Sequence, residues 1–218
     1  MRPTTAIDRL LRQRHLLTHP FYTAWSRGEV SMETLREYAQ QYYPFEANFP
    51  RYVAGTYAQL RDPAARRLML ENLMDEEGRH PTHPELWMDF ARALGAPARP
   101  SRFSEPSLLT RRLLSTYERF TLRGSAAAGL GALYAYEAQF PRVAAEKSRG
   151  LREQYGITSP AAHEFFRVHT MADVAHSAAE RRALANAASA SPSASREALA
   201  GARASLGAWW RFLDQFVG

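Results

Sequence analysis

The chain of 218 residues contains no cysteine and only one lysine. Without cysteine there can be no disulfide, zinc–thiolate site, iron–sulfur cluster or thiol nucleophile. The one lysine, Lys147, stands within a total of 28 Lys+Arg, so arginine carries nearly all the positive charge. A GC-rich coding bias explains why lysine is scarce, but not why one remains at this position. No run reaches the roughly 18 uninterrupted apolar residues of a membrane span. The opening Met1-Arg2-Pro3-Thr4-Thr5 lacks the apolar region of a signal peptide. These absences fit a cytoplasmic protein with no membrane contact. The net charge of +6 is interspersed with acids and forms no Lys/Arg block, so no nucleic-acid partner is expected.

With 45% hydrophobic residues, the chain can bury one substantial core, and residues 1–218 read as a single domain. Apolar residues recur at helical spacing, and no segment alternates like a strand. Helices are expected over 5–17, after the cap at His19-Pro20, and from Ser31 with Leu35, Tyr38, Ala39 and Tyr42 on one face. Pro44 and Pro50 then predict a kinked or restarted helix over 45–60. Asp62-Pro63 opens a helix reaching Glu77, and Thr82 or His83 begins the next. An amphipathic helix follows over 108–122. Next comes one long helix over 125–154, bent at Pro141. Ser159-Pro160 starts a helix that runs to about Ala188. After a small polar linker over 189–195, a last helix aligns Leu206, Trp209, Trp210, Leu213 and Phe216. The sum is an all-α bundle of about eight or nine helices.

Three places put acid and histidine among apolar residues, where an unpaired charge costs several kcal/mol. His169, Asp173 and His176 fall at i, i+4 and i+7 and share one helix face. Glu76 and His83 lie seven apart, with His80 as a nearby competitor. Glu137 sits in the aromatic stretch Leu133-Tyr134-Ala135-Tyr136-Glu137. Each alone is explained by salt bridges or loop capping. Together they give three carboxylates and three imidazoles, a set suited to two divalent first-row metals inside a helical bundle.

This pattern resembles the haem-oxygenase-like di-metal oxidases, a fold shared with TenA/PqqC-like proteins. Within them it is similar to the chlamydial protein associating with death domains (CADD) and its bacterial para-aminobenzoate synthase relatives. The resemblance runs from His19-Pro20-Phe21-Tyr22 through Tyr42-Tyr43-Pro44 to the histidine row. It implies a haem-oxygenase-like fold with Glu76, His83, Glu137, His169, Asp173 and His176 as ligands of two divalent ions, Fe/Fe or Fe/Mn. It also implies a self-sacrificing reaction in which O2 and an external reductant convert the chain's own Tyr22, with nitrogen from Lys147, into para-aminobenzoate. Tyr43 is then an electron or radical relay. The electron donor stays unnamed, and a homodimer is expected from the family and the apolar last helix.

Two other classes stand beside this one. A multi-turnover oxidase of an external small molecule would release product without losing mass. A helical interaction module would bind no metal pair. Thiaminase-type hydrolysis calls for a cysteine, and a cofactor-free quinone synthase has no use for six ligands. Fold alone does not decide among these.

Overall fold

The computed structural model describes residues 3–78 and 80–217, except the side chains of 172–175. Among the described residues, ten α-helices follow one another: α1 Pro3–Gln13, α2 Pro20–Arg27, α3 Met32–Gln59, α4 Pro63–Glu77, α5 His83–Ala93, α6 Leu108–Tyr117, α7 Ala126–Glu137, α8 Phe140–Glu153, α9 Pro160–Ser189 and α10 Pro192–Asp214. A π turn, Glu118–Leu122, extends α6, and among the described residues no strand occurs. The all-helical class is as expected, with one or two more helices than the sequence pattern suggested.

Two differences matter for the site. First, α3 runs unbroken through Pro44 and Pro50. Each proline removes one backbone donor, yet the stripe Tyr38, Tyr42, Phe45, Phe49, Tyr52 packs inward along the whole helix. The side-chain amide of Asn48 also donates to the Pro44 carbonyl at 2.8 Å. Secondly, 125–154 is two helices. Pro141 lies in the first turn of α8, where a missing N–H costs nothing, and α7 ends at Glu137. Glu137 and Lys147 therefore belong to different helices. The expected linker over 189–195 shrinks to two residues, because Ser191 caps α10 and Pro192 begins it.

The long helix α9 packs against α4, α5, α7, α8 and α10, while α3 lies against α4, α5 and α7. Helices α7 and α10 cross at backbone contact. A Cβ on Gly131 would meet the Ala198 carbonyl at 2.1 Å, and one on Gly201 the Ala128 carbonyl at 2.1 Å. That crossing fixes the end of α7, and Glu137 with it. Among the described residues, no helix is long and apolar enough to cross a membrane.

Candidate metal centre

Glu46 of α3, Glu76 of α4, His83 of α5 and His169 of α9 are all buried, and each offers a donor atom within 4.8 Å of the others. Local sequence explains the convergence. The inward face of α4 reads Ala65, Met69, Asn72, Glu76, at alternating spacings of four and three. Gly78 then caps α4, and a capping box between Thr82 and Glu85 restarts the chain with His83 as the first residue of α5. The reversal brings His83 Nδ1 to 2.7 Å from Glu76 Oε2. On α9 the inward stripe is Ala162, Phe165, Phe166, His169, His176, Glu180 and Leu184.

His169 is held for coordination. Its Nδ1–H donates to the Phe165 carbonyl at 2.8 Å, which directs Nε2 away as the acceptor nitrogen. Burial, reinforced by His83, holds its pKa well below the usual imidazole value. The neutral ring that results is the form that binds metal. Carboxylates with neutral imidazoles and no thiolate suit iron or manganese, so the residues present fit such an ion.

Of the six expected ligands, Glu76, His83 and His169 meet in this cluster. Glu137 is buried at the end of α7, where the Asn72 amide donates to both its oxygens at 3.1 and 3.2 Å. Asn72 is one turn before Glu76, so Glu137 borders the cluster without being one of the four. His176 is buried with Nε2 3.0 Å from Asp75 Oδ2, near enough to His169 to depress its pKa as well. Asp173 lies outside the residues whose side chains are described. His80 is exposed and faces Glu85, so His83 is the histidine this turn delivers. Sequence reasoning missed Glu46. Glu46 falls seven after Ala39 and seven before Val53 on the buried stripe of α3, and an acid at such a position was the available signal.

Beside the cluster lies Lys147, wholly buried on the inward face of α8. Its Nζ donates to the Tyr38 hydroxyl at 2.5 Å, and Tyr38 Oη lies 3.3 Å from Tyr22 Oη. The amine is walled by rings, with Nζ 5.5 Å from the centre of Tyr22, 4.9 Å from Tyr38, 5.0 Å from Tyr42 and 5.4 Å from Trp87. Burial pulls the Lys147 pKa well down, against an opposing pull from Glu46. The same burial raises Tyr22 and Tyr38 above the ordinary phenol value. Tyr43 is partly exposed and packs edge-on against Phe103, outside the set formed by Tyr22, Tyr38 and Lys147. A cavity of about 450 Å³, bordered by Asp75, His83, Leu86, Arg167 and Met171, adjoins the cluster at His83.

Comparison with known proteins adds the lineage. The model of a family of iron-containing redox enzymes matches residues 36–210. Relatives named 4-aminobenzoate synthase are 37–41% identical. The one from Chlamydia muridarum is 39% identical over 211 residues, 97% of this chain and 88% of that protein. Among solved structures, a CADD-like protein of unknown function from Nostoc punctiforme superposes with a TM-score of 0.79. It is 23% identical and covers 98% of this chain and 96% of its own. A domain with a haem-oxygenase-like fold from Shewanella denitrificans gives 0.73 at 18% identity, covering 98% and 88%. The chain has the haem-oxygenase-like fold and belongs to the family of iron-containing redox enzymes, as an oxidoreductase related to the 4-aminobenzoate synthases.

Proposed function

We propose that this protein is an O2-dependent, self-sacrificing 4-aminobenzoate synthase. Its ring source is Tyr22, its nitrogen source is Lys147, and the ligands of its two divalent ions, iron with iron or manganese, are Glu76, His83, Glu137, His169, Asp173 and His176. The observation that carries the reading is the setting of the sole lysine. It is fully buried, 5.5 Å from the Tyr22 ring centre, and linked to that tyrosine through Tyr38.

The chemistry fits para-substituted rings. In the product, nitrogen occupies the ring carbon that bears the tyrosine hydroxyl, and a carboxylate replaces the Cβ methylene. A C–N bond therefore forms from Nζ to that ring carbon while its C–O bond and the lysine Cε–Nζ bond break, the hydroxyl oxygen leaving as water, and the Cα–Cβ bond breaks as Cβ is oxidised to the carboxylate. O2 is the oxidant, and an external donor supplies the remaining electrons. When bound, the metals supply the activation of O2.

The chain's own groups do the rest. Burial lowers the Lys147 pKa and so favours the neutral amine, the form that can make a bond. Tyr38 retains its proton for the same reason, and between Nζ and the Tyr22 oxygen it can accept from one and donate to the other. The rings of Tyr42 and Trp87 complete a wall that keeps water from the amine.

The test is to load the apo-protein with iron, add reductant and O2, and quantify 4-aminobenzoate. Tyr22→Phe and Lys147→Arg should each abolish product. Undiminished product in both overturns the proposal. The cavity beside His83 favours one second reading, an oxidase of an external small molecule. Many turnovers without loss of protein mass would select it.

A further inference from the structure

We infer that Glu46 is an additional ligand of the metal centre, a carboxylate that α3 contributes to the site otherwise built by α4, α5, α7 and α9. The inference rests on the di-metal reading above and extends its ligand set.

Three observations carry it. A Glu46 oxygen lies within 4.8 Å of donor atoms from Glu76, His83 and His169. That span suits donors at about 2.0–2.2 Å from an ion they share or from two neighbouring ions. The side chain is 2% exposed and issues from the middle of α3, on the stripe that otherwise carries Tyr38, Tyr42, Phe45 and Phe49. Evicting a carboxylate from water at an aromatic core position costs several kcal/mol, and a cation at that position offsets it.

The third observation is charge. Glu76, Glu137 and Asp173 carry three negative charges against the four positive charges of two divalent ions. Glu46 makes the count even. A ligand set whose formal charge matches that of its two ions reduces the desolvation penalty an uncompensated charge would carry. The Glu46 charge is also near enough to raise the pKa values of both Lys147 and Tyr38.

The experiment is an anaerobic titration of the apo-protein with Fe(II), followed by dialysis and elemental analysis. It compares wild type, Glu46→Gln, Glu46→Asp and Glu76→Gln, with circular dichroism to verify equal helix content. The wild type should hold two ions, and Glu46→Gln should bind at least one of them roughly 10–100-fold more weakly. Glu46→Asp, which keeps the charge but shortens the reach, should fall between. An iron-loaded wild-type crystal structure reads the same claim without a variant, with a Glu46 oxygen about 2.0–2.2 Å from an ion. Two ions bound with unchanged affinity in Glu46→Gln, while Glu76→Gln loses iron, would overturn this inference and leave the di-metal reading standing. A loaded crystal in which Glu46 contacts protein only would do the same. Wild type that binds no iron overturns both.

Discussion

Replacing Lys147 with methionine should stabilise the apo-protein at neutral pH, by an amount that shrinks as pH rises. Methionine is similarly long and unbranched, and its sulfur is favourable beside rings. The lysine amine is fully buried and donates to the Tyr38 hydroxyl. Its pKa lies well below the unfolded value of 10.5, chiefly through desolvation. The sign follows directly. Between the folded and unfolded values the unfolded chain binds the extra proton, so wild-type stability rises with pH. The slope is about 1.4 kcal/mol per pH unit. For a chain of this length that is roughly 3–6 °C of melting temperature per unit. Melting curves of wild type and Lys147→Met between pH 7 and 9.5 measure it, because background titrations cancel in the difference. The variant should melt higher at pH 7, and the gap should close toward pH 9.5. A gap independent of pH would mean that the native amine is charged, and would remove the basis for a neutral nitrogen donor.

Two further substitutions probe the frame. Gly131→Ala forces a methyl onto the Ala198 carbonyl at the α7–α10 crossing. Its cost is about 1–3 kcal/mol, read as a lower denaturation midpoint with unchanged slope. Thr82→Ala removes the cap that starts α5 at His83. It should cost about 1 kcal/mol and weaken Fe(II) binding, whereas Ser107→Ala, a cap on α6, should cost similar stability and leave iron binding alone.

The parts of this molecule that were legible in the sequence are those written in local rules. Proline-opened helices with polar caps at His19 and Asp62 marked two boundaries, and the turn at Thr82-His83 marked the start of α5. The prolines inside α3 misled, because the aromatic stripe on that helix outweighs two missing backbone donors. Pro141 misled in the opposite direction. A first-turn proline and a mid-helix kink look alike until the preceding helix is seen to end at Glu137.

At the site, Glu76, His83 and His169 were visible as polar residues within apolar surroundings. Glu46 was hidden because its neighbours suggested a broken helix, which erased the periodicity that marks it as buried. Tyr38 reads as packing, since nothing in sequence says that its hydroxyl falls between Tyr22 and Lys147. That juxtaposition depends on α2, α3 and α8 meeting, and Lys147 lies 109 positions beyond Tyr38.

Because Lys147 is the only lysine, protein grown on lysine labelled with 15N at the side-chain nitrogen carries that label at one residue. Mass spectrometry of the 4-aminobenzoate released on adding iron, reductant and O2 then tests the central claim directly. The account predicts that the product carries the label and that the protein loses the corresponding mass in a single turnover. Unlabelled 4-aminobenzoate, or product released in excess over protein, would contradict it.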